Sequence, residues 1–328
     1  MTNPAEPGQA RTDWDTYWQG SQQAVAFAAE GVNHPLVADF WQAYFAGLSG
    51  GDRSLRILDV ACGRGAITEA AIAALGEDSA EYECLDTSPH AIDAVKRQHP
   101  QVVGHVGDAA DPGLEELHYD VVASQFGVEY AGDAAIGGLR KLVAPGGSLV
   151  LMMHHRGGSI YTECSNNLDA SRRLAASNLI PLATTMFETG YSALRGDVPV
   201  EQYNDATRAV FPAMHELEAL VQQYGPNVAG GTINTLFTEI ANIQEDIRHY
   251  DDQEVLDWLS NMHSEMQAYE GRMQSMCAAA IDQATIDALV STLQGDGFDV
   301  QRADALEDEA GTLAWIVVAT RQQEDSEK

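Results

Sequence analysis

The residues best suited to chemistry gather behind one short apolar run. Ile57 and Leu58 lead to Asp59, and Ala61, Cys62, Gly63, Arg64 and Gly65 follow as a tight turn. Glycines let a backbone approach a ligand closely, and the helix that opens after such a turn offers unpaired N–H groups. Two ligand classes compete for a loop of this kind. A pyrophosphate seated on the helix N-terminus calls for a third glycine, and Thr68 stands in that place. A carboxylate at Asp59 would repel a pyrophosphate and attract an ammonium or a sulfonium. A second acid, Asp86, ends the next apolar run, where it can accept both hydroxyls of a ribose. Ser88 already supplies an N-cap there, with Pro89 at the first helical position, so Asp86 is not needed as the cap.

These residues need a scaffold that brings successive strand ends together. Ile67, Ala70, Ala71, Ala74 and Leu75 recur at helical spacing behind the glycine turn. Apolar runs at 81–86, 102–106, 119–125 and 149–153 read as further strands, the one at 102–106 leading into Gly107-Asp108-Ala109. A helix face over Ile136, Leu139, Leu142 and Val143 stops at Pro145-Gly146-Gly147. Near the end, Ile286, Leu289, Val290 and Leu293 mark a helix, with strands from Phe298 and over Leu313–Ala319. The alternation of strand and helix is that of a Rossmann-like, doubly wound α/β sheet.

Taken in order, the turn after Asp59, the Asp-Thr-Ser-Pro at 86–89, the Gly-Asp at 107–108, the Ser124-Gln125-Phe126-Gly127 strand end and the Pro-Gly-Gly before the fifth strand resemble the class I S-adenosylmethionine (SAM)-dependent methyltransferases. The resemblance covers about 150 residues and the closing hairpin. It implies a seven-stranded sheet with an antiparallel last strand, SAM as cofactor and S-adenosylhomocysteine as product. Cofactor contacts would come from Asp59, Ala61, Gly63, Gly65, Asp86, Thr87, Ser88, Gly107, Asp108, Ala109, Ser124, Gln125 and Phe126. Asp108 would accept the adenine amino proton and the Ala109 N–H would reach the ring. Tyr17 or Trp18, in the segment ahead of the sheet, would lie over the cofactor.

The implied reaction is in-line methyl transfer to an oxygen, nitrogen or sulfur of a small molecule, in which the protein aligns the reactants and excludes water. A base is required where the acceptor arrives protonated. Candidates follow the fourth and fifth strands: His155 first, then His154, with Glu129 and Tyr130. No spaced ligand set points to a metal. A catalytically silent SAM-binding regulator or assembly subunit is the competing reading. A protein or nucleic-acid methyltransferase stands behind it, and a dinucleotide oxidoreductase last.

The family pattern breaks between 158 and 281, which reads as helices. Ile233, Leu236, Ile240, Ile243 and Ile247 form one seam and Val255, Leu259, Met262, Met266, Tyr269, Met273, Met276 and Ala280 another, suggesting an antiparallel helical hairpin. The methionines are read as helix packing. The expected organisation is a helical cover over 1–50, a SAM-binding core over 51–157, a helical insertion over 158–281 serving as substrate lid or homodimer contact, a closing helix and hairpin over 282–320, and a flexible tail over 321–328. The formal charge of −31, with lysine only at 96, 141 and 328, disfavours binding to nucleic acid or anionic membrane. Its spread along the chain is read as a hydrated, halophilic-type acidic surface. Four separated cysteines and no long apolar run lead to the expectation of a cytoplasmic protein.

Overall fold

The computed structural model describes residues 34–48, 54–309 and 311–323, so Tyr17 and Trp18 lie outside the described residues. Helix α1 (Pro35–Ala46) starts with proline at its first position and a side-chain cap from His34. Val37, Trp41 and Phe45, four apart, make its buried face. The first half of the sheet domain is β1 (Leu55–Val60), α2 (Ala66–Leu75), β2 (Ala80–Asp86), α3 (Pro89–Gln98) and β3 (Val103–Val106). The second begins with β4 (Tyr119–Gln125), a 3₁₀ turn (Val128–Ala131), α4 (Gly132–Leu142) and β5 (Val143–His154). Five helices follow: α5 (Ser159–Ala176), α6 (Leu179–Arg195), α7 (Val200–Tyr224), α8 (Thr232–Glu245) and α9 (Asp252–Ala279). Helix α10 (Gln283–Gly295) and the hairpin β6 (Phe298–Asp308) and β7 (Gly311–Arg321) complete the sheet.

The strands form a seven-stranded sheet in the order β3-β2-β1-β4-β5-β7-β6. β7 runs antiparallel to both of its neighbours, and the other pairs are parallel. The order reverses between β1 and β4, which is where an open α/β sheet presents a ligand crevice beyond its strand ends. Burial explains the strand composition. Leu58, Val60, Leu85, Val122, Leu149, Leu151, Met153 and Val317 pack into one apolar layer on a single sheet face.

One boundary differs from the sequence reading. Strand β5 begins at Val143, directly after α4, and runs through Pro145-Gly146-Gly147, with Tyr119 opposite Val143 before a register irregularity. A Cβ at Gly147 would come within 2.8 Å of the Tyr119 carbonyl oxygen. Gly147 is thus there for a close backbone approach, and what reads as a helix stop is the bulged start of a strand.

The chain divides into two units: one holds the sheet, up to Thr162 and again from Ser275, and the other is the helical Glu163–Gln274. The helical unit has its own core, with Leu179, Phe187, Leu217, Leu220, Ile233, Leu236, Ile240 and Leu259 among its members. Met266 is in that core and Met262 packs against it. Helices α6 and α7 make the closest pair, and α8 approaches α7. The hairpin expected between the 233–247 and 255–280 seams is therefore not the closest pairing: the first stripe and the 255–269 part of the second face a shared core. Spacing identifies an apolar stripe, but any neighbour can cover it. Gly190 lets this packing tighten, since a Cβ there would meet Ile247 Cδ1 at 2.7 Å and Tyr203 Cε2 at 2.9 Å. Among the described residues no helix is long and apolar enough to cross a membrane.

Candidate active site

Strand register gathers the polar residues on one face. Asp59 lies opposite Cys84 on β2 and Ala123 on β4, and Ala123 lies opposite Val150 on β5. Side chains alternate along a strand, so Asp86, Asp59, Gln125 and His154 all project to this same face near the carboxyl ends. The apolar layer occupies the other face.

The loop after β1 is built as a cradle. Gly63 and Gly65 take positive φ angles of 50° and 84°. Gly65 opens α2 in the left-handed region, where a side chain would also meet Val95 at 3.0 Å. Asp86 anchors the cradle: one carboxylate oxygen accepts the Gly63 N–H at 2.9 Å and the other the Ser88 N–H at 2.9 Å. Ser88 then caps α3 by accepting the Ala91 N–H. Exposed Thr87 sits between them. Gly107 donates to the Asp86 carbonyl, and the Asp108 carboxylate accepts the Ala110 N–H at 2.9 Å beside buried Ala109.

Asp59 is buried, and one of its oxygens accepts both the Thr68 N–H at 3.0 Å and the Thr68 hydroxyl at 2.8 Å. Burial lifts its carboxyl from the ordinary 3.8 to about 7; the two Thr68 bonds pull downward and the Asp86 charge adds to the rise. The folded state therefore holds a proton between these values that the unfolded chain has released, so this group's contribution to stability falls as pH rises through that window. A cation arriving nearby reverses the balance by favouring the carboxylate. We expect SAM affinity to rise with pH up to about 7 and then level, with proton release on binding. Calorimetry at about pH 6 in buffers of different ionisation heat would measure that release, and Asp59→Asn should abolish it.

On the β4 side, Ser124 is wholly buried and its hydroxyl accepts the Val128 N–H at 3.1 Å, fixing the 3₁₀ turn. Phe126 has a left-handed φ of 52° and donates its N–H to the Met152 carbonyl. Gly127 then presses on the β1 loop, where a Cβ would collide with that of Ala61. The two loops are thus in direct contact, a constraint on Gly127 that no local pattern announces.

The 3₁₀ turn delivers Glu129 beneath the end of β5. One Glu129 oxygen accepts the His154 backbone N–H at 2.9 Å and lies 2.6 Å from His154 Nδ1. Both side chains are almost fully shielded, 0 % exposed for Glu129 and 2 % for His154. The other oxygen, Oε2, is buried with no hydrogen-bond partner among the described residues. The His154 ring packs 4.5 Å from that of Phe126 and meets Tyr130 edge-on at 5.8 Å. His155 points to the opposite side of the strand, its ring 4.5 Å from Trp315, and burial holds its pKa below the usual value. Of the paired histidines, His154 shares a face with Asp59 and Asp86 and His155 does not.

The donor set fits SAM. Acids at adjoining strand ends suit a sulfonium, ribose hydroxyls and an adenine amino group, and Gly63 and Gly65 supply the left-handed backbone that the loop between them needs. No group of three or more His, Cys, Asp or Glu suited to a metal occurs among the described residues. Residues 57–147 match the family model described as a methyltransferase domain. "Methyltransferase ktnA" of Aspergillus niger is 25% identical over 221 residues, which cover 62% of this chain. The chain spans 65% of the length of that curated relative. Among solved structures, the CurJ carbon methyltransferase superposes with a TM-score of 0.43 at 15% identity, covering 97% of this chain and 61% of that one. A SAM-dependent methyltransferase of Leishmania major gives 0.36 at 21% identity, covering 45% and 61%. Both superpositions are loose, and the assignment stands on the domain match, the strand order and the cradle. The chain is built on the class I SAM-dependent methyltransferase fold, with its methyltransferase domain at residues 57–147.

Proposed function

We propose that this chain transfers the methyl group of SAM to a small-molecule nucleophile that arrives protonated, with His154 as the base. The observation that carries this reading is the buried Glu129–His154 pair on the sheet face that also bears Asp59 and Asp86. A carboxylate at Nδ1 fixes the tautomer, so that Nδ1 donates and Nε2 is the basic nitrogen. Glu129 also opposes the positive charge that His154 gains.

Bound SAM supplies a methyl carbon on a cationic sulfur, and its carbon–sulfur bond breaks with both electrons staying on sulfur. The residues of the chain do the rest. Asp86 holds the glycine loop through the Gly63 N–H, and Asp59 provides negative charge toward the cationic donor. His154 Nε2 takes the acceptor's proton, leaving an electron pair on the acceptor atom to form the new bond to carbon. That proton passes to solvent after the product leaves. A buried base suits a phenol, enol or carbon acid more than a thiol or an amine, which present their lone pairs more readily.

The test is incubation with methyl-labelled SAM and a panel of phenols, enols, amines and thiols. Label should appear in the small-molecule fraction, foremost with the weakly acidic hydroxyl and enol acceptors. SAM binding without transfer to any acceptor would instead support the silent regulator and overturn this reading.

A further inference from the structure

Gln125 closes β4 and carries an amide whose orientation is fixed by a residue far away in sequence. The Trp41 indole N–H donates to Gln125 Oε1 across 84 positions. An indole nitrogen can only donate, so the atom facing it must be the amide oxygen rather than the nitrogen. Trp41 cannot readily drift: it is 2 % exposed, its ring stacks on Phe45 at 5.7 Å, and Phe40 stands edge-on at 5.0 Å. Helix α1 is tied in turn to the hairpin, through the His34–Asp308 pair and the Arg302 guanidinium over the Phe40 ring. The lock on Gln125 Oε1 is therefore built into the fold.

With Oε1 occupied, the amide offers its two Nε2–H donors from the opposite end of a planar group. Gln125 lies opposite Met152 on β5, and His154 is two residues further along, so the three side chains leave the same face of the sheet. The neighbouring polar groups Asp59, Asp86 and Glu129 are acids, and Gln125 contributes a neutral donor among them. A carbonyl oxygen is the partner such a donor suits best. If that carbonyl is conjugated to the atom that loses its proton to His154, negative charge spreads onto its oxygen at the moment of transfer. A preset N–H donor is then worth most.

We infer that Gln125 is the specificity-determining donor of the site, selecting acceptors whose methylated atom is conjugated to a carbonyl, and that Trp41 is its positioning residue. The inference rests on the methyl-transfer reading and narrows its substrate class to β-dicarbonyl enols and phenols bearing an adjacent acyl group.

The test uses two probes with the same hydroxyls, resorcinol and 2,4-dihydroxyacetophenone, which differ by one acetyl group. Binding to the full-length protein loaded with S-adenosylhomocysteine is measured by calorimetry for wild type, Gln125→Leu and Trp41→Phe. In the wild type the acetyl probe should bind about tenfold tighter than resorcinol. Gln125→Leu should erase that preference, lowering the affinity of the S-adenosylhomocysteine-saturated protein for the acetyl probe about tenfold more than its affinity for resorcinol. Trp41→Phe, which frees the amide to rotate, should reduce the same ratio by a smaller factor. An unchanged ratio in Gln125→Leu, equal losses on both probes, no binding of the acetyl probe to the wild type, or a loss confined to S-adenosylhomocysteine would each overturn the inference. Failure of the wild type to bind S-adenosylhomocysteine at all would instead overturn the methyl-transfer reading on which it rests.

Discussion

His154→Ala should lower the turnover of methyl transfer by about 10²- to 10⁴-fold while SAM affinity stays within a small factor of wild type. The size of the effect follows from the loss of the only imidazole held on the face of Asp59 and Asp86 among the described residues. The substitution also strands Glu129, whose side chain is fully shielded, and breaking a buried pair in this way typically costs about 3–5 kcal/mol of stability. Two further measurements separate catalysis from folding. Adding Glu129→Gln to His154→Ala should restore much of the melting temperature without restoring turnover, because the stranded charge has been removed. Added imidazole should return part of the lost activity to the stable double variant. Turnover within about threefold of wild type in His154→Ala would remove the base assignment. His155→Ala is the control, since its ring packs on Trp315 on the other side of the strand.

Asp86→Ala should weaken SAM binding by about a hundredfold or more. The carboxylate holds two backbone N–H groups, those of Gly63 and Ser88, each bond at 2.9 Å. Hydrogen bonds to a charged group contribute about 1.5–3 kcal/mol each, and one of these two fixes the cradle itself. Asp86→Asn can keep one acceptor and should fall between wild type and alanine. Calorimetric titration with SAM measures the loss. An affinity within about threefold of wild type would show that the glycine loop holds its shape without the anchor.

The sheet and its ligand loops were legible because their signals are local. A strand end, a Gly-x-Gly, an acid and a Ser-Pro start all lie within a few residues of one another, and the structure brings Asp59, Gly63, Gly65 and Asp86 together around one loop. What stayed hidden depends on contacts distant in sequence. The sequence reading places His155 ahead of His154 as the base, and the strand geometry favours the reverse order. Only the position of Glu129, 25 residues earlier, and of Trp315 on β7 distinguishes them. Trp41 reads as one more apolar residue on a helix face until Gln125 is found beneath its indole. The bulged start of β5 is invisible because Gly147 answers to the backbone of Tyr119 and not to its own neighbours. In the helical unit, apolar spacing located the stripes of α8 and α9 but could not name the helices that cover them.

Ala61 and Phe126 bear on how this protein can change. Both hold left-handed backbone with a side chain present, at φ 53° and 52°, one on each of the two loops that meet at Gly127. Such a conformation costs on the order of 1 kcal/mol or more per residue, a penalty glycine would avoid. Backbone strain is thus held where the two loops touch, as it is also at Leu117 with φ 54°. A search for heat tolerance alone would be drawn to glycine at 61 and 126, and would slacken the segment that carries the Phe126 ring against His154. Robustness and catalytic fitness pull in opposite directions at these two positions, so variants of each are best judged on both counts together.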